Sequence, residues 1–327
     1  MDDFKRLSPD LILDAIDDLG YQTDARILEL NSYENRVFQI GIESAEPVIA
    51  KFYRSNRWTT DMIIEEHQFA AALADNDLSV VPPINQAGQS LFEFKEYRFA
   101  LFKKRGGRVP AVDNLDCLES LGRHIAMIHN VGGAADFQFR PNLSTQEFGH
   151  DARATLLDLN FLPDGLRPAY ESVSAEALRL VDLQFIEGTY KRLRLHGDCH
   201  MGNVLWREDT PHFVDFDDAR GGPAIQDLWM LLSGDRQSQL GQLKAILKGY
   251  QDFRDFDFRE LRLIEPLRTL RLMHQSAWIA RRWAEPAFQR AFPFFDTERY
   301  WSTHILELRE QCGALVEEPL NLTGYAY

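Results

Sequence analysis

Apolar and polar positions along the first hundred residues change their spacing in a way that predicts a small sheet with two helices. A Ser-Pro pair opens an amphipathic helix that is expected to begin at Ser8 and end near Gly20. Five short runs rich in Ile, Val or Phe, separated by turn residues, predict strands. They lie at residues 26–30, 36–42, 47–53, 90–94 and 98–102. Helical spacing at 61–74 places a second helix between the third and fourth strands.

After the basic, paired-glycine stretch at 103–107, the pattern becomes mainly helical. Five long segments have apolar residues at helical spacing. They cover residues 114–129, 175–190, 237–253, 259–283 and 297–316. A short β-rich insertion interrupts them at 193–195, 204–206 and 212–215.

These elements predict an α+β fold of two lobes. Residues 1–104 would form the smaller lobe, an antiparallel sheet with one crossing helix, and residues 105–327 the larger, mainly helical lobe. The β-rich insertion would bring polar residues to the helical lobe. A cleft between two such lobes is a common place for a nucleotide.

Charge and cysteine content narrow the class of protein. With 36 Lys and Arg against 50 Asp and Glu, the chain of 327 residues has a formal net charge of −14. Such a surface repels the phosphates of nucleic acids and of anionic membranes, so neither is expected as a partner. The three cysteines are widely separated, no apolar signal segment follows Met1, and no apolar run approaches the roughly 20 residues of a membrane-spanning helix. We therefore expect a cytoplasmic protein. As a separate expectation, the chain is a monomer.

Residue types suited to phosphoryl transfer are concentrated in the segment from 195 to 218. Short apolar strands flank a polar loop there, so Asp198 and Asn203 are expected at a tight turn, with Asp215 after the following strand. Phosphoryl transfer needs one carboxylate that orients the attacking hydroxyl and accepts its proton. It also needs an amide oxygen and another carboxylate to hold Mg²⁺ on the phosphates. Asp198 is the predicted base, and Asn203 and Asp215 are the predicted Mg²⁺ ligands.

The same segment resembles the catalytic and metal-binding loops of a known superfamily. The pattern HGDxHxGN that begins at His196, followed by VDFD from Val214, is similar to that of the aminoglycoside phosphotransferases and choline kinases, which share the protein-kinase fold. Further motifs resemble the bacterial stress response kinase A family more closely. They lie at 30–37, 48–54, 65–69, 222–230 and 282–288. The resemblance implies a cytoplasmic Ser/Thr protein kinase that uses ATP and Mg²⁺, acts in a stress response and also phosphorylates itself.

The resemblance further implies roles in nucleotide binding. Lys51 corresponds to the strand lysine that contacts the α- and β-phosphates, and Glu66 to its partner on the next helix. Glu65 is adjacent and is the alternative partner, but helical spacing places Glu66 on the side that carries apolar residues three and seven positions later. The segment 31–35, which contains Ser32, corresponds to the loop that covers the nucleotide. It departs from protein kinases because it has no glycine.

Three further residues are implied or expected to support the site. Asp227 corresponds to a buried aspartate that braces the catalytic loop through backbone N–H groups. His196 is expected to pack and to hydrogen-bond the backbone. Asp217 is expected to assist the metal, whereas the adjacent Asp218 is expected at the surface.

Several alternatives stay open at this point. The loop does not encode the acceptor, so a kinase of a small hydroxyl compound, of the choline, homoserine or aminoglycoside type, is a second hypothesis. A nucleotide-binding pseudokinase that acts as an interaction module is a third. A zinc site at His196, Cys199, His200 and His212 is disfavoured because a second Cys/His pair is missing. The tryptophans at 229, 278, 283 and 301 are expected in the helical core rather than in a substrate cage.

Overall fold

Five antiparallel strands form the sheet of the amino-terminal part. In the computed structural model, which describes residues 4–30, 32–111 and 113–322, they lie side by side in the order β1-β2-β3-β5-β4. Their bounds are Thr23–Leu30 (β1), Arg36–Ile42 (β2), Ala45–Phe52 (β3), Phe92–Phe94 (β4) and Tyr97–Lys103 (β5). β3 is central, and Lys51 lies opposite Val37 on one side and Ala100 on the other. The sheet therefore holds the backbone of Lys51 on both sides.

Two helices pack on this sheet. Helix α1, Pro9–Asp17, begins where the Ser8 side chain accepts a hydrogen bond from Leu11 N at 3.2 Å, as its Ser-Pro sequence predicts. It buries Ile16 together with Ile40 of β2 in the core of the sheet. Helix α2, Thr60–Asp75, packs Ile63 against Ala100 of β5 and buries Phe69 in the core of the helical part. Because α2 begins after β3 and packs on the other core, it links the two parts of the chain.

The rest of the chain is mainly helical. Its helices are Leu115–Gly132 (α3), Asp151–Asp158 (α4), Arg167–Gln184 (α5), Ile225–Trp229 (α6), Arg236–Tyr250 (α7), Ile264–Arg282 (α8), Pro286–Ala291 (α9) and Glu298–Ala314 (α10). Helices α3 and α7 approach so closely that a Cβ on Gly249 would lie 1.9 Å from the carbonyl oxygen of Glu119. Trp301, Tyr170 and Tyr250 are among the largest fully buried side chains of the core. Burial of such large side chains is the main stabilising contribution of this part.

Two short hairpin-like ladders are set between these helices. β6, Leu193–Leu195, pairs with β9, Arg220–Gly222, and β7, Val204–Arg207, pairs with β8, Thr210–Phe213. Short 3₁₀ turns at Met201–Asn203 and Phe216–Asp218 lie between the strands. The polar segment of the sequence is therefore held at both ends by backbone pairing.

The structure departs from the sequence predictions in several elements. Helices α4, α6 and α9, strand β9 and a π-helical turn at Gln146–His150 are present but were not predicted. Helix α5 begins at Arg167 rather than 175, because Pro168 suits the first turn of a helix, and it ends at Gln184 rather than 190. Strand β8 ends at Phe213 rather than 215, since Asp215 has a left-handed backbone with φ 61°. The expected helix at 259–283 opens as a 3₁₀ segment, Phe258–Leu263.

Within the described ranges, no helix is both long enough and apolar enough to cross a membrane. The sheet ends at Lys103 and the first helix after it begins at Leu115. The lobe boundary between residues 104 and 105 stays a prediction.

Candidate active site

A cavity of about 870 Å³ lies where the sheet, the two short ladders and helix α8 meet. Asp198, Asn203 and Asp215 all line it, and so does Lys51 from β3. Ser32 lines it as well and is half-buried. The structure thus brings together residues that are up to 183 positions apart between Ser32 and Asp215 in the chain.

Asp198 lies in the loop after β6, between two cationic or imidazole side chains. Its Oδ1 accepts a hydrogen bond from Arg271 Nη1 at 2.6 Å, and its Oδ2 lies 3.4 Å from His200 Nε2. Burial raises the pKa of Asp198, but the hydrogen bond from His200 and the charge of Arg271 outweigh it and hold that pKa well below its usual range. The carboxylate is therefore ionised and faces the cavity.

Asn203 has an orientation fixed by the same loop. Its side-chain Nδ2 donates to the backbone carbonyl oxygen of Asp198 at 3.0 Å, and its backbone carbonyl oxygen accepts from Val214 N at 3.0 Å. Because the amide nitrogen is committed to Asp198, the amide oxygen of Asn203 remains as the acceptor on this side chain. An amide oxygen in that position is a ligand suited to a hard divalent cation.

Asp227 on helix α6 binds the backbone of the loop that carries Asp198. Its carboxylate is 1% exposed and accepts hydrogen bonds from His196 N at 2.8 Å and Gly197 N at 2.9 Å. His129 Nε2 of α3 lies 3.0 Å from the same carboxylate. Gly197 has φ 85°, and a Cβ there would lie 2.1 Å from the carbonyl oxygen of Asp218, so this position requires glycine.

His196 joins the two ladders. Its Nε2 makes a hydrogen bond of 2.9 Å with the carbonyl oxygen of Val214, and its ring packs against Phe216 with the centroids 4.5 Å apart. His196 is 1% exposed. It therefore packs and bonds the backbone, as its place at the start of the loop suggested.

The carboxylates after β8 face Lys51. Lys51 Nζ lies 2.9 Å from Asp215 Oδ1 and 3.1 Å from Asp217 Oδ1. The Asp215 side chain is 53% exposed, whereas that of Asp217 is 4% exposed. Burial raises the pKa of Asp217, but Arg57 and Lys51 outweigh it and lower that pKa below the usual value. Asp215 thus offers a carboxylate to the cavity while Asp217 is held inside.

Glu66 and Glu65 on helix α2 have separate environments. Glu66 is 3% exposed and lies in the interior, where burial raises its pKa to about 7 although Lys51 and Arg140 lower it. Among the described residues, Lys51 forms ion pairs with Asp215 and Asp217 and has none with Glu66 within 4 Å. Glu66 therefore attracts Lys51 from a longer distance than an ion pair. The sequence-based assignment had made it the direct partner of Lys51.

Glu65 instead binds the backbone of the helical part. Its two carboxylate oxygens accept from the N–H groups of Gln138 at 2.6 Å, Phe139 at 2.9 Å and Arg140 at 2.8 Å. The side chain of Arg140 then donates to the carbonyl oxygens of Ala219 and Asp217. Helix α2 is thereby fixed to the segment that carries the cavity carboxylates.

The turn that contains Ser32 is held by side chains of helix α8 rather than by glycines. Trp278 Nε1 and Arg282 Nη2 of α8 both donate to the Glu34 carboxylate, the latter at 2.6 Å. Arg54, at the end of β3, donates to both oxygens of Glu285 at 2.6 and 3.0 Å. Asn31, the first residue of the predicted nucleotide-covering segment, lies outside the described residues.

Three arginines of the site were not predicted from the sequence. Arg57 donates to Asp217 and, at 2.7 Å, to Asp218, which is therefore half-buried rather than at the surface as expected. Arg271 reaches Asp198, and Arg140 holds the loop from behind. Of these three, only Arg271 could have been found from the sequence. Helical spacing places it on the same face of α8 as apolar residues that line the cavity.

All four tryptophans pack in or against the helical core, as expected, and Trp278 also lines the cavity. In the described part of the chain, no group of three or more His, Cys, Asp and Glu side chains has the arrangement of a metal site. Asn203 and Asp215 form a smaller set of two possible ligands. A cation held by such a pair would take its other coordination positions from phosphate and water oxygens.

Comparison with known proteins bears on the fold and the family. A model of the phosphotransferase enzyme family matches residues 26–264. Stress response kinase A of Escherichia coli O157:H7 is 44% identical over 320 residues, which cover 98% of this chain and 97% of the relative. A protein of Salmonella typhimurium LT2 named serine/threonine protein kinase RdoA is 42% identical over the same shares.

A solved structure of the amicoumacin kinase hAmiN, in complex with AMP-PNP, Ca²⁺ and Ami, has a TM-score of 0.71 with 17% identity and covers 92% of this chain and 91% of its own. This likeness confirms the predicted two-lobed α+β fold of the protein-kinase type. The resemblance stated from the sequence motifs is confirmed too. The chain belongs to the phosphotransferase enzyme family and, within it, to the stress response kinase A family, so it is a kinase-type phosphotransferase.

Proposed function

We propose that this protein transfers the γ-phosphoryl group of ATP, with Mg²⁺, to the hydroxyl of a Ser or Thr residue in a protein, and that it also phosphorylates itself. The observation that carries the proposal is the convergence of Asp198, Asn203, Asp215 and Lys51 on one cavity. The protein acceptor is supported by the name of the Salmonella relative, at 42% identity over nearly the whole chain.

The cation and the nucleotide fit the residues present. Asn203 offers an amide oxygen and Asp215 a half-exposed carboxylate, which are the hard oxygen ligands that Mg²⁺ prefers. When bound, the cation neutralises charge on the phosphates of ATP. Lys51 supplies a buried ammonium, since burial lowers its pKa but Asp215 and Asp217 outweigh this and raise it well above the usual value. We assign Ser32 to the cover of the nucleotide and Glu66 to the electrostatic support of Lys51.

The chain's own groups account for the transfer of the proton. Asp198 accepts the proton of the attacking hydroxyl as the new bond forms between that oxygen and the γ-phosphorus. The bond between the γ-phosphorus and the β,γ-bridging oxygen breaks, and ADP leaves with that electron pair. Asp227, His196 and Asn203 keep Asp198 in place through the loop backbone.

Intact-mass spectrometry after incubation with MgATP tests the proposal. The wild-type protein should gain phosphoryl groups, and Asp198→Asn should not, although both should be stabilised thermally by the nucleotide. Asp182→Asn is the matched control, because this exposed carboxylate pairs with His150 and neither residue lines the cavity. An Asp198→Asn protein that gains phosphate at the wild-type rate would contradict the role of Asp198. Stabilisation by ATP without any transfer, to itself or to added proteins, would favour the pseudokinase.

A second candidate is a kinase of a small hydroxyl compound. The observation that favours it is one wall of the cavity, where Trp278, Phe292 and Phe148 supply apolar surface and Gln275 a polar group. Small-molecule sites commonly combine apolar walls with a few polar groups. An ADP-release assay over a panel of amino alcohols, sugars and hydroxy acids distinguishes the two, since rapid turnover of one compound without labelled protein supports the second candidate.

A further inference from the structure

The wall of the cavity that faces Asp198 is formed by one side of helix α8. Arg271, His274, Gln275 and Trp278 line it there. The ring of His274 stacks on Phe148 with the centroids 4.2 Å apart, and burial lowers the pKa of His274 to about 4, so this imidazole is neutral near pH 7. Arg271 is therefore the charged side chain that α8 presents to the cavity among the described residues.

The carboxylates that line the cavity are nearly all paired with cations. Glu34 accepts from Arg282, and Arg57 donates to both Asp217 and Asp218. Glu66 lies between the charges of Lys51 and Arg140. Of the described residues of the lining, the other two carboxylates are Asp198 and Asp215, which pair with Arg271 and Lys51 and are assigned to the reaction itself. An acceptor that carries an ammonium group beside its hydroxyl would consequently find no carboxylate available to bind it.

Arg271 has unused hydrogen-bonding capacity that points to an anion. Its Nη1 donates to Asp198 Oδ1 at 2.6 Å and lies 3.8 Å from the sulfur of Met230. Its Nε and Nη2 have no hydrogen-bond partner among the described residues, and the side chain is 41% exposed. A guanidinium has five N–H donors in a planar fork that matches a carboxylate with two parallel hydrogen bonds.

We propose that the acceptor segment carries an acidic residue next to the phosphorylated hydroxyl, and that the carboxylate of this residue binds Arg271. This inference rests on the protein-kinase function proposed above and names the class of its acceptor. The incoming carboxylate would bind Nε and Nη2 of Arg271, while Nη1 keeps its hydrogen bond to Asp198. A hydroxyl flanked by an acidic residue is thus placed beside Asp198 by the same side chain that holds Asp198 before the acceptor arrives.

Three serine peptides that differ only in the two residues beside the serine test the proposal. The flanking residues are Glu, Gln or Lys, and kcat/KM is measured for each with MgATP. For the wild-type enzyme we expect the Glu peptide to exceed the Gln peptide by about tenfold, the usual order for one well-formed and partly exposed charge pair, with the Lys peptide lowest. In Arg271→Gln the Glu-to-Gln ratio should fall to near one.

Arg268→Gln is the matched control, because it changes an arginine on the same helix whose guanidinium pairs with Glu265 instead of facing the cavity. It should keep the wild-type ratio. A wild-type enzyme without preference for the Glu peptide would overturn the proposal, and so would an Arg271→Gln enzyme that keeps the preference. If neither peptides nor the enzyme gain phosphate, the proposed function itself fails. Phosphorylated peptides with equal kcat/KM refute the acceptor inference alone.

Discussion

Replacement of Asp227 should strongly destabilise the protein, although this residue does not line the cavity. Its carboxylate is 1% exposed and is the partner of two backbone N–H groups, at His196 and Gly197, and of the His129 ring. Asp227→Ala leaves these three buried donors without an acceptor. An unsatisfied buried donor costs about 1–3 kcal/mol, so the free energy of unfolding should fall by roughly 3–9 kcal/mol. Typical domains have about 5–15 kcal/mol in total.

Asp227→Asn is the more informative variant because it keeps the shape and one acceptor oxygen. With the amide oxygen in place of Oδ2, the NH₂ group would face the N–H of Gly197, so this donor loses its acceptor and the contact becomes repulsive. We expect a loss of about 2–4 kcal/mol. The loop cannot relax toward another partner, since Gly197 is already in contact with the carbonyl oxygen of Asp218.

Urea unfolding followed by tryptophan fluorescence measures these losses. Asp235→Asn is the control, because Asp235 also accepts a backbone N–H, from Ser238 at 2.8 Å, but in an exposed position at the start of α7. The midpoint of Asp227→Asn should be clearly below that of Asp235→Asn, and Asp227→Ala should be lowest. Equal midpoints for the two Asn variants would refute the argument that buried, charge-assisted hydrogen bonds hold the loop.

Three further predictions concern other carboxylates of the protein. Glu65→Gln should lower the urea midpoint, because it removes a charge that three backbone N–H groups share. Glu66→Gln should leave the urea midpoint near wild type and raise the KM for MgATP. A larger loss of stability in Glu66→Gln than in Glu65→Gln would contradict their separate roles. Burial raises the pKa of Glu260 to about 7 from 4.5, so the folded protein holds a proton that the unfolded chain has already released, and the free energy of unfolding should fall as the pH rises between these values. Glu260→Gln should flatten that decline by an amount on the order of 3 kcal/mol in urea titrations at pH 5 to 8, and an unchanged slope would exclude Glu260 as its source. Glu285→Ala removes the carboxylate that accepts two hydrogen bonds from Arg54, which keeps its ion pair with Glu34 at 3.1 Å; the loss should be about 1.5–3 kcal/mol in thermal unfolding, against a small change for an exposed Glu→Ala control.

Local pattern predicted much of the fold. Helix α2 was expected at 61–74 and covers Thr60–Asp75, and strand β2 has the predicted bounds. Helix α4 was missed because the π-helical turn before it adds a residue per turn and breaks the helical period of the apolar positions. Helix α6 has five residues, too few for any period to be visible in the sequence.

The candidate site was predictable where one short motif encodes it. Asp198 and Asn203 lie in one loop, so their spacing alone indicated that they would meet. Arg57 and Arg271 were not predictable in this way, because their carboxylate partners lie 160 and 73 positions away. Such pairs depend on how helices pack, and a single sequence carries little information on that packing.

The attachment of Glu34 to Arg282, 248 positions later, also has a consequence for the newly made protein. The amino-terminal sheet can form while synthesis continues, because its strands are neighbours in sequence. The turn after β1 cannot adopt its final arrangement until the end of α8 has left the ribosome. A chain still attached to the ribosome would lack this contact until α8 has emerged, so the order of synthesis itself would place the making of α8 before the first turnover.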